Sequence, residues 1–164
     1  MTPAVPRVLS IAGSDSGGGA GVQADLKTIA AWGGYGMTAI TAITAQNTQG
    51  VQAVHPLPVD VVRAQLDSVA ADIAVDAVKI GMLGDAETTA TVSKFLGQHP
   101  VKHVVVDPVM VATSGDRLLT EDAEDALRQF VRDHATVVTP NLPELAVLVG
   151  AETAGTFDQA IEQG

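Results

Sequence analysis

A chain of 164 residues is long enough to bury a substantial core in one domain. Apolar residues make up 46% of it and aromatics only 3%, so that core is built from Val, Ile, Leu and Ala, as in parallel strands covered by helices. The formal charge of −10 argues against nucleic acid and membrane surfaces as partners, and the absence of Cys excludes disulfides and thiolate metal sites.

The charge is uneven, with ten acids against seven bases up to residue 120 and nine against two beyond it. A phosphate-bearing ligand therefore has to be held locally rather than by the overall field. No apolar run approaches the ~18 residues of a membrane span, and Met1–Arg7 lacks the pattern of a secretory leader, so a cytoplasmic location is expected.

Val8 to Ala12, an apolar run between Pro6 and Gly13, predicts a buried first strand. It enters Gly13-Ser-Asp-Ser-Gly-Gly-Gly-Ala-Gly21, where five glycines allow positive φ and close approach of another group. A helix from about Ala20 to Trp32 follows, with Val22, Leu26, Ile29 and Ala30 inward and Gly33-Gly34 at its end. Its first N–H groups are expected to be unpaired and so to favour an anion or a polar ligand edge.

Met37 to Thr44 reads as a second strand, Gln46 to Gly50 as a polar turn, and Val51 to Leu57 as a further extended segment. Pro58 opens a helix in which Val61, Val62, Leu66, Val69 and Ile73 recur at helical spacing. Ala77 to Ile80 is the third strand, closed by Gly81, and Asp85 caps a helix from Ala86 to Leu96. Val104 to Val106 is the fourth strand, ended by Asp107-Pro108.

Thr120-Glu-Asp-Ala123 begins the next helix, with Leu127, Phe130 and Val131 inward, and Thr136 to Thr139 is the fifth strand. Asn141 to Leu148 forms a short helix ending at Gly150, and Thr156 or Asp158 opens another. Strands alternating with helices predict an α/β fold: a mainly parallel sheet, helices on both faces and right-handed crossovers.

Ligands of open parallel sheets bind beyond the carboxyl ends of the strands. Those ends carry Gly13-Ser-Asp15, Gln46-Asn47, Gly81-Met82, Asp107-Pro108 and Asn141, small, polar or acidic groups expected to converge on one cleft. Gly19-Ala-Gly-Val-Gln-Ala24 fits the loose dinucleotide pattern, yet no acid between Asp25 and Asp60 is placed to hold a ribose, and no P-loop lysine pattern exists. A plain glycine turn closing a strand onto its helix is the simpler alternative.

Gln46 offers an acceptor and two donors on one amide, enough to read a heteroaromatic ring nitrogen and its amino group; otherwise it is a solvated turn residue. Asp107 suits water-mediated Mg²⁺ or the electrostatics of phosphates, or is merely a turn residue before proline. Asn141 and Glu144, three apart, can also form a reciprocal helix cap. Met82, Val109 and Met110 supply either an apolar wall for a flat ring or plain core. Lys79, inside an apolar strand, needs a partner or a solvated cleft edge, and the four histidines show no metal-ligand spacing.

Five ordered blocks, Ala12 to Thr28 followed by Thr41-Ala-Ile-Thr-Ala-Gln-Asn-Thr48, Val78-Lys-Ile-Gly-Met-Leu-Gly84, Val105 to Met110 with Ser114 to Leu119, and Thr139-Pro-Asn-Leu-Pro-Glu144, closely resemble the hydroxymethylpyrimidine/phosphomethylpyrimidine kinases of thiamine biosynthesis, members of the ribokinase-like superfamily. The resemblance implies ATP and Mg²⁺ as cofactors and a small-molecule aminopyrimidine as substrate, phosphorylated as the alcohol and then as its monophosphate. It implies that Gln46, Asp25, Gly13, Met82 and Val109 bind substrate, Asp25 through the hydroxymethyl group, and that Asp107, Asn141 and Glu144 organise phosphate and metal. A pyridoxal-type vitamin kinase and a non-catalytic pyrimidine-binding domain stand as alternatives, and a homodimer is kept open. The resemblance also implies that residues 1–164 are the N-terminal part of a single kinase domain. The general base and a second glycine-rich anion hole are then expected beyond Gly164, and the segment alone is expected to be inactive.

Overall fold

Short β-branched runs punctuated by glycine and proline set the element boundaries in the computed structural model, which describes residues 4–110, 119 and 121–164. In chain order they are β1 (Arg7–Ala12), α1 (Gly21–Ala31), β2 (Tyr35–Ile40), β3 (Ala42–Asn47), β4 (Gly50–Pro56), α2 (Val59–Asp72), β5 (Ala77–Ile80), α3 (Ala86–Gln98), β6 (His103–Val106), α4 (Glu121–His134), β7 (Val137–Val138), α5 (Leu142–Val149) and α6 (Phe157–Gln163). Ser114 to Leu118 of the family-like blocks, and Thr120 at the expected helix start, lie outside the described residues.

Five strands form one parallel sheet in the order β2-β1-β5-β6-β7, and β3 and β4 form a separate antiparallel ribbon. The order runs one way from β1 to β2 and the other way from β1 through β5, β6 and β7. Right-handed crossovers therefore place α1 on one face and α2, α3 and α4 on the other. Side-chain alternation agrees: Leu9, Ile11, Val78, Ile80, Val104 and Val106 enter one core with Leu66, Phe95 and Phe130. The intervening Ser10 and Lys79 turn the other way and meet Asp25 of α1.

That core is mostly aliphatic, with Leu9, Ile11, Val62, Leu66, Ile80, Val92 and Val106 fully buried. On the other face α1 lies directly on β2, where a β-carbon at Gly36 would come within 2.6 Å of Leu26. Arg7 opens β1 by donating to both carboxylate oxygens of Asp76, from Nε at 2.9 Å and Nη2 at 2.8 Å. The Arg7 side chain and backbone N–H together hold the Asp76 carboxyl down at about 2.

Two expectations need correction. Met37 to Thr44 is not one strand, because the chain leaves the sheet at Thr41, whose N–H donates to Ala12 and whose hydroxyl donates to Met82. Residues 42–47 then pair with β4, and Gln46 sits within the ribbon rather than in a turn. Val61 and Ala30 are exposed rather than inward, because α2 buries the face centred on Val62 and Leu66, and Val22 is the buried residue of α1. The caps stand where they were expected: Asp85 accepts from Thr88, and Gly150 ends α5 in the left-handed conformation. No described helix is long and apolar enough to cross a membrane.

Candidate functional site

The loop between β1 and α1 is organised by Asp15, which was expected among the groups facing the cleft and instead binds its own loop. Asp15, buried, accepts 2.8 Å hydrogen bonds from the N–H groups of Gly17, Gly19 and Ala20. Burial works against its charge, but the backbone amides of residues 17–20 outweigh that and hold its carboxyl below the usual value. The N–H of Val22 donates to the Gly13 carbonyl. Of the first amides of the expected helix from Ala20, that of Ala20 is taken by the Asp15 carboxylate and that of Val22 by the Gly13 carbonyl, so the expectation that they stand free is corrected in part. The signal was an aspartate spaced two, four and five residues before backbone donors.

Of the five loop glycines, Gly18 and Gly21 take positive φ. At Gly21 (φ +54°) a β-carbon would collide with the Gly13 carbonyl oxygen, so α1 can start this close to the end of β1 only because that position lacks a side chain. Gly13 is not among the positive-φ glycines but is tightly covered, since a β-carbon there would lie 2.6 Å from Met82 Cε. Two residues expected in one site, Gly13 and Met82, thus touch.

Gln46 reaches the same loop from the ribbon. Its N–H donates to Ser16 Oγ at 2.8 Å, and the Ser16 hydroxyl donates back to the Gln46 carbonyl at 2.8 Å. Next to it, the buried Thr44 donates its N–H to Ser14 Oγ and its hydroxyl to the Ser14 carbonyl. Among the described residues the half-buried side-chain amide of Gln46 has one weak contact, Oε1 with the Thr44 hydroxyl at 3.3 Å, and its Nε2 donors make no hydrogen bond.

Asp25 lies one turn into α1, on the face turned to the sheet. The Ser10 hydroxyl donates to its Oδ2 at 2.6 Å and Lys79 Nζ stands 3.2 Å from its Oδ1. Asp107 follows β6 immediately, donates its N–H to the Ile80 carbonyl, and places Oδ2 3.5 Å from the same ammonium. Lys79 thereby finds the partners its place in an apolar strand demands. Ser10 was missed; its only sequence signal is a hydroxyl inside the run Val8 to Ala12.

Val109, half-buried, lies in the turn after Asp107. The next residue, Met110, donates its N–H to Glu144 Oε1 at 3.3 Å, while Glu144 Oε2 accepts from Asn141 N–H at 2.9 Å. Asn141 Oδ1 accepts in turn from Glu144 N–H, completing the reciprocal cap of α5. Glu144 is buried with each oxygen on a backbone donor. Its observed contacts are those of a residue that fixes the end of β7 against the loop after β6.

Gly13, Met82, Asp25, Lys79 and Asp107 are thus linked across the exits of β1, β5 and β6. Gln46 is fastened to the loop at one end, and Val109, Asn141 and Glu144 are grouped at the other. Two surface cavities, of about 320 and 490 Å³, lie elsewhere, one between the ends of α2 and α3 and one beside α4 and α5. Among the described residues no group of three or more His, Cys, Asp or Glu side chains is arranged to hold a metal. His134, half-buried, shares a 2.8 Å hydrogen bond with Ser93 and packs on Phe130 at a helix interface.

A parallel sheet covered on both faces, with polar groups at the strand exits, is an α/β arrangement, and the fold is that of the ribokinase-like vitamin kinases. The family model described as phosphomethylpyrimidine kinase matches residues 15–164, and the chain belongs to that family. The chain is 48% identical to the hydroxymethylpyrimidine/phosphomethylpyrimidine kinase of Escherichia coli, over 95% of its own length and 59% of that enzyme's. The crystal structure of phosphomethylpyrimidine kinase from Clostridium difficile superposes with a TM-score of 0.90 at 44% identity, covering 97% of this chain and 68% of that one. Pyridoxal kinase from Staphylococcus aureus, solved in complex with AMP-PCP and pyridoxal, gives 0.86 at 38% identity, covering 98% and 57%. The chain spans less than two thirds of the length of these curated relatives, and 21% of a longer multifunctional thiamine-biosynthesis protein.

Proposed function

We propose that this chain carries the aminopyrimidine-binding part of a kinase that transfers phosphate from ATP to 4-amino-5-hydroxymethyl-2-methylpyrimidine and then to the monophosphate. The observation that carries this reading is the convergence of Asp25 and Asp107 on one ammonium at the exits of β5 and β6. Phosphoryl transfer needs the accepting hydroxyl, the phosphates and their countercharges held in one line, with little covalent work for the protein. In this reading Asp25 would accept from the hydroxymethyl group, Gln46 would pair with the ring edge, and Gly13, Met82 and Val109 would wall a flat ring. Asp107, with its side chain 40% exposed, is the residue that would hold Mg²⁺ through water. When bound with ATP, that ion neutralises phosphate charge. Asn141 and Glu144 support it from behind by fixing the loop after β6.

The likeness to a kinase solved with pyridoxal and a nucleotide analogue favours a second reading, a pyridoxal-type vitamin kinase on the same framework. Titration of the chain with the aminopyrimidine and with pyridoxal separates the two. Preferential saturable binding of the aminopyrimidine is expected; preference for pyridoxal gives the second reading, and binding of neither overturns both. Addition of ATP and Mg²⁺ then tests the chemistry. Because these residues alone are expected to bind without turnover, the chemistry is read in a chain completed with the C-terminal part of a full-length relative: monophosphate formation there supports a kinase, and binding without turnover even there assigns these residues to a binding module.

A further inference from the structure

We propose that Lys79 is a positioning residue that ties the acceptor side of the site to its phosphate side, gripping Asp25 and sharing its charge with Asp107; this rests on the kinase reading above. A lysine flanked by buried Val78 and Ile80 is sustained only by ionic partners within reach. Its ammonium extends toward the carboxyl end of the strand, because a β-carbon at Gly81 would lie 3.2 Å from Nζ. The missing side chain at Gly81 leaves the lane through which Lys79 reaches the site.

Ser10 and Lys79 are direct cross-strand partners of β1 and β5. From adjacent strands they take one Asp25 oxygen each, Ser10 Oγ on Oδ2 at 2.6 Å and Lys79 Nζ near Oδ1 at 3.2 Å. A carboxylate held at both oxygens has a fixed plane, which aims its remaining lone pairs. The second contact differs. Asp107 is more exposed than Asp25, at 40% against 15% of the side chain, and its 3.5 Å separation is at the limit of a hydrogen bond. The Asp25 contact is the shorter and more buried ion pair and the Asp107 contact the longer and more exposed one, so in this proposal Asp107 turns to an incoming group while the ammonium stays beside Asp25. Without the ammonium, two carboxylates face one another and Asp25 keeps only Ser10.

The test has a ligand-free arm and a ligand arm. In the free chain, the side-chain carboxylate ¹³C resonances of both Asp25 and Asp107 are expected to move in Lys79→Met, whereas Ser10→Ala moves that of Asp25 alone. Movement of one carboxylate or of neither in Lys79→Met overturns the bridge, whatever the ligand. Should Lys79→Met not fold, Asp107→Asn serves instead: the Lys79 ammonium ¹⁵N resonance is expected to move, and an unmoved one overturns the bridge.

In calorimetric titration with the aminopyrimidine, Lys79→Met is expected to weaken binding roughly tenfold, the loss typical of one charged hydrogen bond. Lys79→Met/Asp107→Asn is expected to recover part of that loss by removing the facing charge. Unchanged affinity, or equal loss in the single and double variants, assigns Lys79 a merely structural part. A wild-type chain that does not bind overturns the kinase reading and with it the ligand half of this inference, while the resonances still decide the bridge.

Discussion

The five-stranded sheet and the two-stranded ribbon meet at the glycine loop, yet different forces hold them. The sheet is fastened by burial: β1 places four consecutive residues out of solvent, and its inward side chains are fully covered. The ribbon has β4 exposed along its whole length, with Val51 and Val54 more than half accessible. It is tied to the sheet through hydrogen bonds between Ser14, Ser16, Thr44 and Gln46. The sheet thus sets where the strand exits lie, while a short polar seam sets where Gln46 stands above them.

Removing core volume should break the sheet side most severely. Phe95→Ala, at a fully buried position, is expected to lower stability by about 3–5 kcal/mol in urea denaturation. Gly21→Ala comes next, at about 2–4 kcal/mol, because a left-handed conformation and the Gly13 carbonyl both oppose a β-carbon. Ser16→Ala removes both hydrogen bonds to the Gln46 backbone and is expected to cost about 1 kcal/mol. Its effect should be confined to the ribbon, with faster amide exchange in β3 and β4 and unchanged protection in β1 and β5. Equal loss of protection in the sheet would show that the two regions form one cooperative unit.

Where burial decides the structure, the sequence pattern was sufficient. The runs Val8–Ala12, Ala77–Ile80 and Val104–Val106 are strands because their β-branched side chains have to be covered on both faces, and the caps at Asp85 and Gly150 follow from local chemistry. Where a few long-range hydrogen bonds decide it, the pattern failed. The break at Thr41 depends on the carbonyls of Ala12 and Met82, distant in sequence, so Met37 to Thr44 looks continuous along the chain. The site shows the same division: strand exits located Asp107 and Asn141, but not the Ser10–Asp25–Lys79 contacts, which need the register of β1 against β5. Asp15 looked like a ligand group by its place and proves to be bound by its own loop.

That the site at the strand exits reads an aminopyrimidine through the ribbon is tested most directly by calorimetric titration of the wild-type chain and Gln46→Ala with 4-amino-5-hydroxymethyl-2-methylpyrimidine. Among the described residues the Gln46 amide makes only a weak contact, so its removal should leave unfolding unchanged. Binding should weaken by about 1–3 kcal/mol, the range for a lost hydrogen-bond pair to a buried polar ring. Equal affinity in the two proteins would take Gln46 out of the site and contradict this account of how the ribbon serves the sheet.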